Sequence, residues 1–186
     1  MSALLTLMFA ILTQEPSMPF RAGFAEVEIT PPVGTPMQGS NSKTTAKAVL
    51  DPLHVRAAVF EKDGERFVIV QLDTALILAA ETAAIRKKVE AVHKVPGDRV
   101  MVAATHNHAG PALINEALPR DEAYVESMIA RCAEAVGKAL AARREAEVGL
   151  GTAFEFEVAY NRRILMRDGT VSLSDFEASF DPGGFH

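Results

Sequence analysis

The sequence predicts an α/β (α+β) fold, a mixed β-sheet with helices packed on it, in an incomplete domain. Three observations carry this reading. A strand-like hairpin sits early in the chain. Helical and strand-like runs then alternate, giving the order hairpin, β-α-β-α-β. The chain ends in Asp181-Pro182-Gly183-Gly184-Phe185-His186, a turn-like stretch with no closing helix or strand.

Phe24 to Ile29 alternates apolar and polar residues, the pattern of a half-buried strand. Thr30-Pro31-Pro32-Val33-Gly34-Thr35-Pro36 ends it, and the polar segment from Met37 to Ala48 reads as a loop. Leu53–Glu61 and Arg66–Leu72 are β-rich runs joined by Lys62-Asp63-Gly64-Glu65, where Asp-Gly signals a hairpin. Ala79 to His93 reads as a helix with Ile85, Val89 and Val92 on its apolar stripe. Arg99–Ala104 follows that helix, so it is expected to run parallel to the preceding strand, since parallel pairs need a crossover. Asp121–Arg144 reads as a long helix with Val125, Ile129, Cys132, Val136 and Leu140 on its stripe. Val148–Leu150 and Phe154–Val158 are read as two further strands.

Composition narrows the function classes. The chain has 186 residues, 48% of them apolar and 23% charged, which suits a folded core in one domain. A net charge of −5 gives no basic footprint for nucleic acid. The single cysteine, Cys132, excludes an intrachain disulfide framework and is expected to be a buried, inert thiol. No run reaches the ~20 apolar residues of a transmembrane helix. Ala3–Leu12 is apolar but lacks a preceding basic residue, so residues 1–19 read as an extension or a weak signal-like segment. A cytoplasmic and a secreted location both stay open.

The most informative stretch is Ala104-Thr105-His106-Asn107-His108-Ala109-Gly110-Pro111. In extended backbone, two histidines one residue apart face the same side. Gly110 and Pro111 then turn the chain. Two imidazoles are thus offered at a strand end, where α/β proteins tend to place ligands. Imidazole is a common metal ligand and a general acid or base near neutral pH. The plainer alternative for His106 is a core histidine bonded to backbone.

Five segments resemble, in order and spacing, the neutral/alkaline non-lysosomal ceramidases and their bacterial relatives. They are Ala22-Gly23-Phe24-Ala25-Glu26-Val27-Glu28-Ile29-Thr30-Pro31-Pro32 with Gly34, Asp51-Pro52-Leu53-His54-Val55-Arg56-Ala57, the strand ending at Asp73, the histidine stretch, and Tyr160-Asn161-Arg162-Arg163. The resemblance covers residues 20 to 182 and implies an N-terminal ceramidase-like domain over residues 20–186, truncated at its C-terminus. It implies a zinc-dependent hydrolase that splits the amide of an N-acylsphingosine into a fatty acid and a sphingoid base. By resemblance, His106 is the zinc-binding histidine, His108 faces the substrate, and Arg162 is the active-site arginine. The adjacent Arg163 leaves that last register open by one. Asp73 occupies the strand-end acidic position, either supporting the site or capping the strand. His54 is expected to be structural and His93 solvated.

By the resemblance, the remaining ligands, a further histidine, a glutamate and a tyrosine, are expected beyond the end of this chain, which departs from the family pattern after Ser179-Phe180-Asp181-Pro182. His186 sits in no matching motif, and Gly39-Ser40 stands where the family has Gly-Tyr. Three readings follow: the N-terminal portion of a ceramidase-like amidase acting on ceramide or another N-acyl amide, a non-catalytic remnant, or one chain of a split enzyme whose second chain completes the site. A sheet lacking its later strands is expected to expose apolar edges.

Overall fold

The computed structural model describes residues 18–39, 43–114, 118–155 and 163–173. Residues 1–17, most of the expected strand over Phe154–Val158, and Arg162 lie outside the described residues. The chain divides after Glu147 into two compact units.

The first unit is built on β1 (Arg21–Glu28), β2 (Met37–Gln38), β3 (His54–Lys62) and β4 (Glu65–Leu72), then α1 (Ala79–His93), β5 (Val100–Ala104), β6 (Gly110–Pro111), α2 (Glu122–Ala141) and β7 (Arg144–Glu145). A short 3-10 turn, Gly97–Arg99, leads into β5. Five of these strands form a mixed sheet in the order β5-β4-β3-β1-β7. The hairpin forms as Asp63-Gly64 predicts, with both residues at positive φ, 50° and 81°. β5 runs parallel to β4, with Leu72 opposite Ala104. The loop expected after Pro36 is more ordered than its polarity suggests. β2 pairs with β6 in a second small sheet. The second unit contains a separate hairpin, β8 (Arg163–Leu165) with β9 (Val171–Leu173), turned by Gly169 at φ 82°.

Strand alternation divides the large sheet into two faces. Val55, Ala57, Val59, Val68, Val70, Leu72 and Val100 are buried and join the helices in one core. On the other face Phe24, Ala58, Ile69 and Met101 stand in register across β1, β3, β4 and β5. That face is more open, and Phe24 is 65% exposed.

Both helices bury most of their expected stripes, with additions at flanking positions. In α1, Ile85 and Val89 are buried as expected, but Val92 is exposed and Glu81 takes the third buried place. In α2 the buried line runs Tyr124, Met128, Cys132, Ala135, Ala139, with Val125, Ala133 and Val136 beside it. The side chain of Asp121 caps α2 by accepting from Tyr124 N–H. The expectation for His93 is overturned. Its Nε2 bonds the Ala133 carbonyl at 2.7 Å, and a Cβ on Gly137 would come within 2.7 Å of the ring. The absent side chain at Gly137 is what lets α1 dock its last turn on α2. Val148–Leu150 forms no strand, a further correction. Gly149 and Gly151 flank exposed Val148 and Leu150, so an ordered strand would lose more chain entropy than it recovers in packing.

Gly23 shows how closely α2 lies on β1. A Cβ there would fall 2.1 Å from the Ala139 carbonyl oxygen. We expect Gly23→Ala to lower stability by roughly 1–3 kcal/mol through overpacking. Gly149→Ala, with nothing within 4 Å, is the near-neutral control. Urea unfolding of both variants checks this. Cys132 is fully buried and burial pushes its thiol up to about 12. The reactive thiolate is therefore withheld in the folded chain. Alkylation at mildly alkaline pH is expected to be negligible until denaturant is added, and rapid labelling of the native chain would contradict the packing.

Candidate active site

The site lies at the carboxyl ends of the parallel strands β4 and β5. Two loops leave the sheet there, residues 73–78 and 105–109, and backbone hydrogen bonds stitch them together. Thr105 N–H donates to Leu72 O at 3.0 Å, and Asn107 N–H donates to Thr74 O at 3.1 Å. A third wall comes from the Pro36–Gly39 loop. Ala112 N–H donates to Pro36 O at 2.7 Å, and Leu113 N–H donates to the buried Gln38 Oε1 at 3.0 Å.

His106 and His108 do converge, though by a different route from the one alternation suggests. β5 ends at Ala104, and His106 adopts left-handed backbone at φ 63°. The tight turn, and not an extended strand, brings the rings to a 4.6 Å centroid separation, nearly perpendicular at 77°. Histidine enters this region more readily than most residues, at a cost of ~1–3 kcal/mol. Asn107 supports the turn by accepting the Ala109 N–H on its side-chain oxygen at 2.7 Å.

The hydrogen bonds set the tautomers. His106 Nδ1 lies 2.7 Å from the Ala75 carbonyl oxygen, which can only accept, so Nδ1 carries a proton. In the neutral ring Nε2 then holds a lone pair. His108 Nε2 sits 3.1 Å from it, and the pairing works when His108 donates Nε2–H. His106 is therefore arranged as a metal-ligating histidine often is, with one nitrogen anchored on backbone and the other directed at a partner. The same contact also satisfies the plainer reading of a backbone-bonded histidine. Both histidines are exposed.

Asp73 caps the strand end. Its carboxylate accepts the His54 N–H at 3.0 Å and pairs with Arg56 at 2.9 Å. His54 contributes this backbone bond, in keeping with a structural role. Arg162 lies outside the described residues, so its expected place near the histidines stands as an expectation. Three participants were not read from the sequence. Ala75 acts through its carbonyl and leaves no side-chain signal. Gln38 looks like an ordinary loop residue. Gly39, at φ 115°, lets the loop press on His108, where a Cβ would meet His108 Cα at 2.5 Å. Among the described residues, no three His, Cys, Asp or Glu side chains gather as a metal-binding group. No described helix is long and apolar enough to cross a membrane.

Gly39→Ala is expected to displace the His108 turn, because the new methyl would overlap backbone as well as strain its own φ. The His106–His108 contact should be lost from imidazole NMR spectra. Unchanged ring signals would show that the loop yields instead.

No protein-family model matches the chain, and no curated protein does. Solved structures do match. The neutral ceramidase from Pseudomonas aeruginosa superposes with a TM-score of 0.62 at 26% identity, over 68% of this chain and 22% of that one. A ceramidase complexed with C2 superposes with a TM-score of 0.61 at 22% identity, with the same two coverages. The chain thus spans about a fifth of the length of these ceramidases. Over about two thirds of its own length, it has a ceramidase-like fold.

Proposed function

We propose that this chain is the histidine-bearing part of a zinc-dependent, ceramidase-like amide hydrolase, acting on ceramide or another N-acyl amide. The observation that carries the reading is the His106 imidazole, anchored through Nδ1–H on Ala75 with its Nε2 lone pair turned outward at the end of a parallel strand pair.

The donor chemistry fits zinc in part. In the neutral ring His106 Nε2 offers a lone pair, and the ring's orientation is set from behind, as zinc requires. A catalytic zinc takes about three protein ligands, and the described residues offer fewer at one place. His106 would hold the ion, with the rest of the ligand set coming from outside the described residues. A bound zinc would supply an acidified water and an electrophile for the amide carbonyl.

The chain's own residues have definable parts. Ala75 keeps His106 in the tautomer that presents Nε2. His108 gives its Nε2–H to His106 in the absence of a ligand. Once the His106 lone pair is engaged, that N–H is released and can donate to the substrate amide. Such a donor stabilises negative charge developing on the carbonyl oxygen, or passes a proton to the leaving nitrogen. Arg162 is proposed to share the oxyanion or bind a substrate hydroxyl.

Zinc binding by the full chain, followed by calorimetry, is expected to weaken ~10-fold or more in His106→Ala, since a ligand is lost where even supporting contacts matter 10- to 100-fold. His108→Ala is expected to retain zinc while lowering any hydrolysis of N-acyl amides. Equal zinc affinity in wild type and His106→Ala, or none in either, would refute the zinc reading for this polypeptide.

A further inference from the structure

A buried carboxyl group sits in the helix that follows the 73–78 loop. Glu81, in the first turn of α1, is 4% exposed. Its Oε1 accepts from Arg120 Nη1 at 2.6 Å. Among the described residues its Oε2 is buried without a hydrogen bond. Buried carboxylates are costly, and an oxygen left without a donor calls for an explanation. Net stability is a poor one, because apolar replacements of buried ion pairs are often neutral or stabilising.

Geometry supplies a better one. The Arg120 guanidinium joins three pieces of chain. Nη1 reaches Glu81 and also the Leu113 carbonyl at 3.1 Å, while Nε and Nη2 fork onto Glu122 at 2.7 and 2.9 Å. The planar fork of arginine allows this and the single ammonium of lysine does not. Two of these pieces lead to the histidines. Leu113 belongs to the segment that follows His108, pinned on its other side by Gln38. Glu81 belongs to the helix that follows the 73–78 loop, where Ala75 holds the His106 ring. Leu78, at the N-cap of α1, makes no side-chain cap bond, and Glu81 in the same turn is tied to Arg120. Glu122 opens α2, directly after the Asp121 cap.

We infer that Arg120, held by Glu81, is a positioning residue for the His106–His108 pair, clamping the segment that follows the histidine loop to the helix that follows the Ala75 loop. The inference rests on the proposed reading of that pair as the working site. Its first test does not require zinc or substrate.

The experiment is long-range ¹H–¹⁵N correlation of the histidine rings in the full chain, with thermal unfolding and zinc titration run in parallel. The variants are Arg120→Lys, Glu81→Gln and the double apolar replacement Glu81→Met/Arg120→Met. Arg131→Lys, in an exposed ion pair with Glu134, is the control. The expected result is a native unfolding profile in at least the double apolar variant, together with loss of the His106 Nδ1–H signature and ~10-fold weaker zinc binding, the scale of a lost supporting contact. Arg131→Lys should match wild type. Unshifted imidazole signals in folded variants would overturn the inference, and so would imidazole shifts that appear only in variants that have lost their fold. If wild type binds no zinc, the zinc reading fails by itself, and the ring signals still decide the positioning role.

Discussion

The hydrogen bond from His106 Nδ1 to the Ala75 carbonyl is the interaction on which the site depends. It joins the loop after β5 to the loop after β4, so the parallel pairing of the two strands becomes a fixed placement of one ring. It also selects the tautomer. Without it, His106 would be a mobile side chain with either nitrogen protonated. With it, Nε2 is the outward nitrogen and His108 has a definite partner. The left-handed backbone at His106 is the strained part, and the bonds of Thr105, Asn107 and Ala109 around it offset that strain.

The sheet makes this possible through its crossover. α1 carries the chain from the end of β4 to the start of β5, which sets their carboxyl ends side by side. Antiparallel neighbours would have put the Asp73 and His106 ends at opposite edges. The same carboxyl-end position is where open α/β sheets generally place ligands. Charge then fastens the periphery. Asp73 ties to Arg56 and His54, and Glu61, lowered in pKa chiefly by its hydrogen bond to Arg66, holds β3 to β4 at the opposite end. Glu61 also pairs with Arg143, just after α2. The Glu61 anchor weakens as pH falls through its carboxylate range, because a depressed carboxylate pKa stabilises the fold only while ionised.

Helices cover one face of the sheet and leave Phe24 and Met101 exposed on the other. The solved ceramidases that share this fold are several times longer than the matched region. Over the matched region the shared fold is the mixed sheet with its two helices, and the open face of that sheet carries Phe24 and Met101.

The sequence by itself determined the fold class, the hairpin, the parallel β4–β5 pair and the two helices. Alternation, helical period and the Asp63-Gly64 turn are local signals that tertiary packing reinforces here. It also pointed to His106 and His108. Their geometry was decided by tertiary structure, because a backbone carbonyl 31 residues away orients the ring, and the contact of Gly39 with His108 depends on how a distant loop folds over. The edges of the helix stripes were decided there for the same reason. Glu81 is buried through its pairing with Arg120, and Val92 is exposed because the last turn of α1 docks through His93 on Gly137. Local pattern records which residues are apolar. Which polar ones are drawn inside depends on partners remote in the chain.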